Sequence, residues 1–226
     1  MSGHAGARRP HVVAFDVNET LLDLAPVQAA LVELGLPGHL LATVFGRTLQ
    51  TGFAATVAGT WLPFRAAFDS ALAQLTDLAD DDRSQVADAF LELSPHPDVE
   101  PALRRLTAAG VRAVTLTHGS PGVTEAGLER GGITPLVERS LSSETVRAWK
   151  PSRAAYLWAA GTCRVEPARM ALVAAHGWDV LGAERAGLTG AWFPRGERVY
   201  PPAYPAPAVV APDLAGAVEA LLALPE

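Results

Sequence analysis

The chain has 226 residues, enough for one large domain or a domain carrying an insertion, and its composition (49% hydrophobic, 19% charged) supports a packed core rather than disorder. A net charge of −6, from 18 basic and 24 acidic side chains, argues against a nucleic-acid-binding surface. The single cysteine, Cys163, excludes an intrachain disulfide and a thiolate zinc site, and fits a reducing compartment.

No apolar run reaches membrane-spanning length, so no membrane partner is expected. Residues 1–10 lack the apolar segment of a secretory signal and read as a disordered leader on a cytoplasmic protein. The first strong element is the run Val12 to Phe15, apolar with β-branched members, as expected of a strand buried on both faces of a parallel sheet. It ends in Asp16, at the edge of an α/β sheet where ligands bind. Asp16 is open to two readings: a turn or cap residue, or a nucleophile or metal ligand. Asn18, Glu19 and Thr20 continue as a polar loop.

Helical spacing follows. Leu24, Val27, Leu31 and Leu34 share one face, and Gly35, Pro37 and Gly38 end that helix. Leu40 to Ala58 is a second helix; Trp61, Phe64, Phe68, Leu72 and Leu75 stripe a third. Asp80 to Asp82 suit the start of a fourth, and Pro95 and Pro97 close the block. The spacing then alternates. Helices are expected near 102–109, 123–130, 153–161, 179–186 and 213–224, and strands over 111–117, 139–143, 170–175 and 189–193. Gly110 is a C-cap candidate and Asp213 an N-cap candidate; the Pro-rich stretch 201–212 reads as an extended surface connection. The pattern specifies an α/β fold: a Rossmann-like parallel sheet with an all-helical insertion after the first strand. The core takes residues 11–23 and 95–226, and the insertion takes 24–94, covering Asp16 as a lid.

Three further polar features fall at the same sheet edge. One strand runs into Thr117, His118, Gly119 and Ser120; Lys150 precedes Pro151; another strand runs into His176, Gly177, Trp178 and Asp179. Alone, the lysine reads as a surface residue and Asp179 as an N-cap. Together, a carboxylate, a hydroxyl, an ammonium and a second carboxylate converge from four loops.

This ordered set resembles the haloacid dehalogenase superfamily, from about Val12 to Leu224. Its first motif, an Asp with Thr four residues on, matches Asp16 and Thr20; its second matches Thr117, its third Lys150, its fourth Asp179; the insertion matches its helical cap. Most members of that superfamily are magnesium-dependent phosphatases with a second Asp two residues after the nucleophile and a Gly-Asp pair in the fourth motif. Here those positions are Asn18, Ala174 and Ala175. An amide is no general acid, and the site is short of the oxygen ligands that magnesium prefers.

The L-2-haloacid dehalogenase branch is the nearer resemblance. It carries a Trp-Asp pair (Trp178, Asp179), Lys-Pro with Tyr six residues after the Lys (Lys150, Tyr156), and Ser-Asn-Gly-Ser-Pro, here Thr117, His118, Gly119, Ser120 and Pro121. The resemblance implies Asp16 as nucleophile on a small 2-halocarboxylic acid, with an aspartyl-ester intermediate and no cofactor or metal. It implies Lys150 as the partner of Asp16, Thr117 as a substrate carboxylate contact, Arg47 as the halide ligand, Phe64 and Trp178 as pocket walls, and Asp179 on the hydrolytic water. It is also compatible with a homodimer. Arg47 otherwise reads as a solvated helix residue and Phe64 as core. The branch has Tyr, Asn, Ser and Asn where this chain has Asn18, His118, Ala174 and His176. The two histidines read as caps, or as chemistry: His176 acting on the water with Asp179, or a protonated ring supporting the leaving anion. Three other functions stay open: a magnesium-dependent phosphatase, a non-catalytic small-anion-binding domain, and a hydrolase that opens a strained ring at C2 of an acid.

Overall fold

The computed structural model describes residues 6–226. Strand β1 (Val12–Phe15) is followed by β2 (Leu22–Asp23) and the helices α1 (Ala25–Glu33), α2 (Leu40–Val57), α3 (Phe64–Leu75) and α4 (Asp80–Asp88), then β3 (Ser94–Pro95). The chain continues through α5 (Val99–Ala108), β4 (Arg112–Thr117), α6 (Pro121–Arg130), β5 (Arg139–Ser142), α7 (Arg153–Thr162), β6 (Met170–Ala174), α8 (Gly177–Arg185), β7 (Thr189–Trp192), β8 (Val209–Val210) and α9 (Leu214–Leu222).

The main sheet has the order β5-β4-β1-β6-β7-β8, with every neighbouring pair parallel. All four residues of β1 are buried, which is why that run carries no polar alternation. Its neighbours are β4 on one side (Phe15 opposite Thr115) and β6 on the other (Phe15 opposite Val173). The crossovers therefore leave β1 in both directions. A crevice opens at the carboxyl ends of β1, β4 and β6 for that reason, and Asp16, Thr117 and His176 stand there.

β2 and β3 pair antiparallel, Leu22 with Pro95 and Asp23 with Ser94, and so enclose the helical segment. Inside it, Phe68 stands edge-on to Phe90 at 5.0 Å and Phe64 edge-on to Phe90 at 5.3 Å, an arrangement that suits the ring quadrupoles. Trp149, buried on the loop before α7, ties this segment to the core. Its backbone N–H donates to Thr56 Oγ1 and its indole Nε1–H to Leu62 O, both at 3.0 Å. Gly52 of α2 lies under that indole; a Cβ there would come within 2.1–2.3 Å of ring carbons.

Two expectations need correction. The Pro-rich stretch is not only a connection: Val209 and Val210 pair with Ala191 and Trp192 as a sixth strand of the sheet. Two residues flanked by prolines show no periodicity, and an edge strand tolerates Pro nearby. The expected leader falls partly on residues 1–5, outside the described residues. Its last part is not disordered: Arg9 N–H donates to Pro225 O at 2.7 Å and its guanidinium to Ala109 O at 3.0 Å. Gly110 (φ +76°) does close α5 in the left-handed conformation, and Asp213 caps α9 through Gly216 N–H.

Helix propensity alone favours Ala over Gly by about 1 kcal/mol. Gly52→Ala is nevertheless expected to destabilise the protein by about 1–3 kcal/mol, because the indole cannot give way. A rise in the denaturation midpoint would contradict this packing.

Candidate active site

Asp16 extends β1, its N–H donating to Val173 O at 3.0 Å, and its carboxylate is 7% exposed. Three groups hold it. Lys150 Nζ donates to Oδ1 at 2.8 Å; Thr20 Oγ1–H donates to Oδ2 at 2.7 Å; His176 Nδ1–H donates to Oδ2 at 2.9 Å. Thr20 in turn accepts the Ala175 N–H at 3.0 Å, which ties the first loop to the end of β6.

Lys150 is fully buried, and its three N–H groups are spent on Asp16 Oδ1, Leu116 O (2.8 Å) and Asp179 Oδ2 (2.5 Å). Asp179 lies in the first turn of α8, and its other oxygen accepts the Tyr156 hydroxyl at 2.6 Å. Its carboxylate neither caps the helix nor bonds the His176 ring; only its backbone N–H reaches that residue, donating to His176 O at 3.1 Å. The second ring nitrogen of His176, Nε2, bonds Glu19 Oε2 at 2.9 Å instead.

Burial alone would raise the Asp16 carboxyl, but the Lys150 charge and the His176 hydrogen bond outweigh it and hold the group well below the usual carboxylate range. Burial works against charge on His176 too, yet its bonds to Asp16 and Glu19 push it up to about 10. Both ring nitrogens donate, so the ring is an imidazolium at neutral pH. Burial disfavours the Lys150 charge, and Asp16 and Asp179 restore it and raise it. Asp179 is raised by burial and by the Asp16 charge, against the pull of Lys150. Tyr156 is raised well above its ordinary value by burial and by Asp179, and stays a donor.

His118 behaves in the opposite way. Burial first, then the Lys150 charge, holds it well below its ordinary value. The neutral ring stacks on Trp149 (4.5 Å) and Trp178 (5.7 Å), with Nδ1 3.3 Å from Ser143 Oγ. Trp178 also stacks on His176 at 5.4 Å, and Lys150 Nζ lies 5.7 Å from its ring centroid.

A cavity of about 270 Å³ opens between the sheet edge and the helical segment. Asn18, Thr117 and Ser120 line its polar end; Phe64, Phe68 and Phe90 line its apolar wall. Arg47 does not line it. Its guanidinium donates to Gln74 Oε1 of α3 at 2.8 Å, on the exposed side of α2. Two positions along a helix are roughly 200° of rotation, so Phe45 faces inward instead and stacks on His176 at 6.2 Å. Arg65 lines the cavity in its place, paired with Asp88 at 2.6 Å. Glu19, Phe45, Trp149 and Arg65 were not anticipated; for Glu19 the only signal was an acidic side chain three residues after Asp16.

A family model for haloacid dehalogenase-like hydrolases matches residues 10–187. The chain belongs to that family. This family member is 28% identical to (S)-2-haloacid dehalogenase H-109 of Pseudomonas putida over 196 residues, 83% of this chain and 87% of that protein. It superposes on the crystal structure of the L-2-haloacid dehalogenase RSc1362 with a TM-score of 0.86 at 28% identity, covering 96% of this chain and all of that one. The L-2-haloacid dehalogenase of Xanthobacter autotrophicus, with chloropropionic acid covalently bound, shares the fold (TM-score 0.83, 22% identity, covering 93% and 97% of the two chains).

The magnesium ion of the wider superfamily does not fit this hydrolase. Asp16 Oδ2 faces a cationic ring, both Asp179 oxygens are bonded, and positions 174 and 175 offer only Ala side chains. A hard cation that needs about six oxygens would meet an imidazolium. Among the described residues no group of three or more His, Cys, Asp or Glu is arranged to hold a metal ion.

The raised His176 stabilises the fold fully below its unfolded value near 6.5, and that contribution is lost as pH rises through about 10. The lowered Asp16 stabilises fully above the usual carboxylate range, and that contribution is lost as pH falls below this range towards the group's own depressed value. At pH 8, nitrogen-15 spectra should show His176 protonated on both ring nitrogens and His118 neutral. In Asp16→Asn, the His176 titration should move down. A neutral His176 at pH 8 in the parent protein would refute this charge assignment.

Proposed function

We propose that this protein hydrolyses small 2-halocarboxylic acids to 2-hydroxy acids through an ester on Asp16. The observation that carries the reading is the Asp16 carboxylate held between Lys150 and His176, two residues before Asn18, whose amide lines the apolar-walled cavity and stands where the phosphatases place their acid. A halide leaves as the anion of a strong acid and needs no proton. An alkoxide or phosphate ester oxygen does, and Asn18 cannot supply one.

In this scheme Asp16 displaces the halide from C2 and forms the ester, which water then cleaves. Thr117 and Ser120 receive the substrate carboxylate, and Phe64, Phe68 and Phe90 receive its carbon skeleton. The Asn18 amide meets the departing anion. Lys150 keeps the nucleophile charged and oriented, and Asp179 with Tyr156 keeps Lys150 in place. Arg47 has no part in this arrangement. The names of the relatives, (S)-2-haloacid dehalogenase and L-2-haloacid dehalogenase, are consistent with it and suggest the (S) enantiomer as substrate.

The test is halide release from the two enantiomers of 2-chloropropionate with EDTA present, beside phosphate release from a generic phosphate ester with magnesium. Chloride from the (S) form alone is expected, unaffected by EDTA, and Asp16→Asn should lower turnover by roughly 10⁴-fold or more. Magnesium-dependent phosphate release without chloride would establish the phosphatase instead. Lys150→Met should cost about 3–5 kcal/mol of stability as well as activity, since it leaves two buried carboxylates without their cation. Chemical denaturation measures that loss.

A further inference from the structure

Dehalogenation by water yields a hydroxy acid, a halide and one proton, and its second step needs a base beside Asp16. Asp179 is badly placed for this: it is fully buried, and Lys150 and Tyr156 occupy its two oxygens. The group that touches Asp16 on its solvent side is His176. Side-chain exposure rises along the hydrogen-bonded series Asp16 (7%), His176 (11%), Glu19 (37%), so this series runs outward while Lys150 and Asp179 run inward.

Glu19 is held in this role at a cost. Its φ is +62°, a left-handed conformation that is unfavourable for a non-glycine residue, and its N–H is pinned to Leu22 O at 2.9 Å. The result is a carboxylate–imidazole–carboxylate row with Nε2 on Glu19 and Nδ1 on the nucleophile.

We propose that His176 is the base of ester hydrolysis, that Glu19 positions it, and that the charge of Asp16 gates it. This rests on Asp16 as the dehalogenating nucleophile. In the free enzyme both ring N–H bonds are committed and no lone pair is available. The bond from Asp16 to C2 then forms, and the carbon–halogen bond breaks with its electron pair leaving on halide. The negative charge that held the Nδ1 proton is gone. Nδ1 releases that proton to solvent water, while Nε2–H stays on Glu19, as a carboxylate holds the imidazole of a catalytic triad. A water oxygen now bonds Asp16 Cγ, and its proton passes to the Nδ1 lone pair. The adduct collapses by breaking the bond from Cγ to the product oxygen, and the departing alkoxide takes the proton left on the added hydroxyl. Asp16 is again a carboxylate, His176 again an imidazolium, and one proton has left per halide.

The groups facing His176 set when the gate opens. They are Asp16, Glu19, Lys150 through Asp16, and His118, which is neutral; Glu197 bonds the neighbouring Gly177 N–H at 3.0 Å. Phe45 and Trp178 cover the ring faces without charge.

Rapid-quench measurements with (S)-2-chloropropionate test this in the parent protein, Glu19→Gln and His176→Phe. Glu19→Gln should release one equivalent of chloride per site at close to the parent rate, then turn over roughly 10²-fold more slowly. The peptide containing Asp16 should accumulate the ester mass in both variants, and Glu19→Asp should restore part of the turnover. Turnover of Glu19→Gln at the parent rate, or a chloride burst slowed as much as turnover, would overturn the proposal and leave the dehalogenase intact. No chloride and no ester from the parent protein would overturn the dehalogenase reading, and the proposal with it.

Discussion

The buried ammonium of Lys150 is the constraint on which the rest depends. A lysine with no exposure to water is costly unless every proton finds an acceptor and its charge is answered. Here the acceptors come from three elements: Asp16 after β1, Leu116 in β4 and Asp179 in α8. One nitrogen therefore fixes the relative positions of the end of β1, the end of β4 and the first turn of α8. Removing either carboxylate would leave a charge imbalance that water cannot reach to relieve.

Around that nitrogen the site divides into two sides of different character. On the inner side, Lys150, Asp179 and Tyr156 are closed to solvent and have no free valence, so they hold geometry. On the outer side, Asp16, His176 and Glu19 are graded towards water, so proton transfer belongs there. The two histidines of the site are thereby told apart by neighbours alone. His176 sits between carboxylates and is charged; His118 sits between indoles, near two cations, and is neutral.

Much of this was legible in the chain. The apolar run before Asp16, the strand–helix alternation after residue 95 and the four polar loop positions follow from burial and from the rule that ligands sit at strand carboxyl ends. Asp16, Thr20, Lys150, Tyr156, Asp179 and His176 do form one hydrogen-bonded network, and Asn18, Thr117 and Phe64 do line the cavity. What escaped was orientation. Arg47 and Phe45 are two residues apart on one helix, and the rotation of α2 against the core decides which faces Asp16; no local pattern encodes that rotation. Glu19 escaped because its partner lies 157 residues away and its backbone conformation is one that local preference assigns to glycine. The expected alliance of His176 with Asp179 failed for a related reason: three residues apart in sequence, they face opposite sides of the nucleophile.

Trp149 has a mechanical consequence. It precedes Lys150 directly, and the two hydrogen bonds that it donates, like its ring contact with Gly52, are made to the helical segment. A motion that lifts this segment from the sheet must pull on the residue next to the ammonium. The packing that seats the helical segment and the placement that charges the nucleophile are therefore one mechanical unit, joined through a single peptide bond.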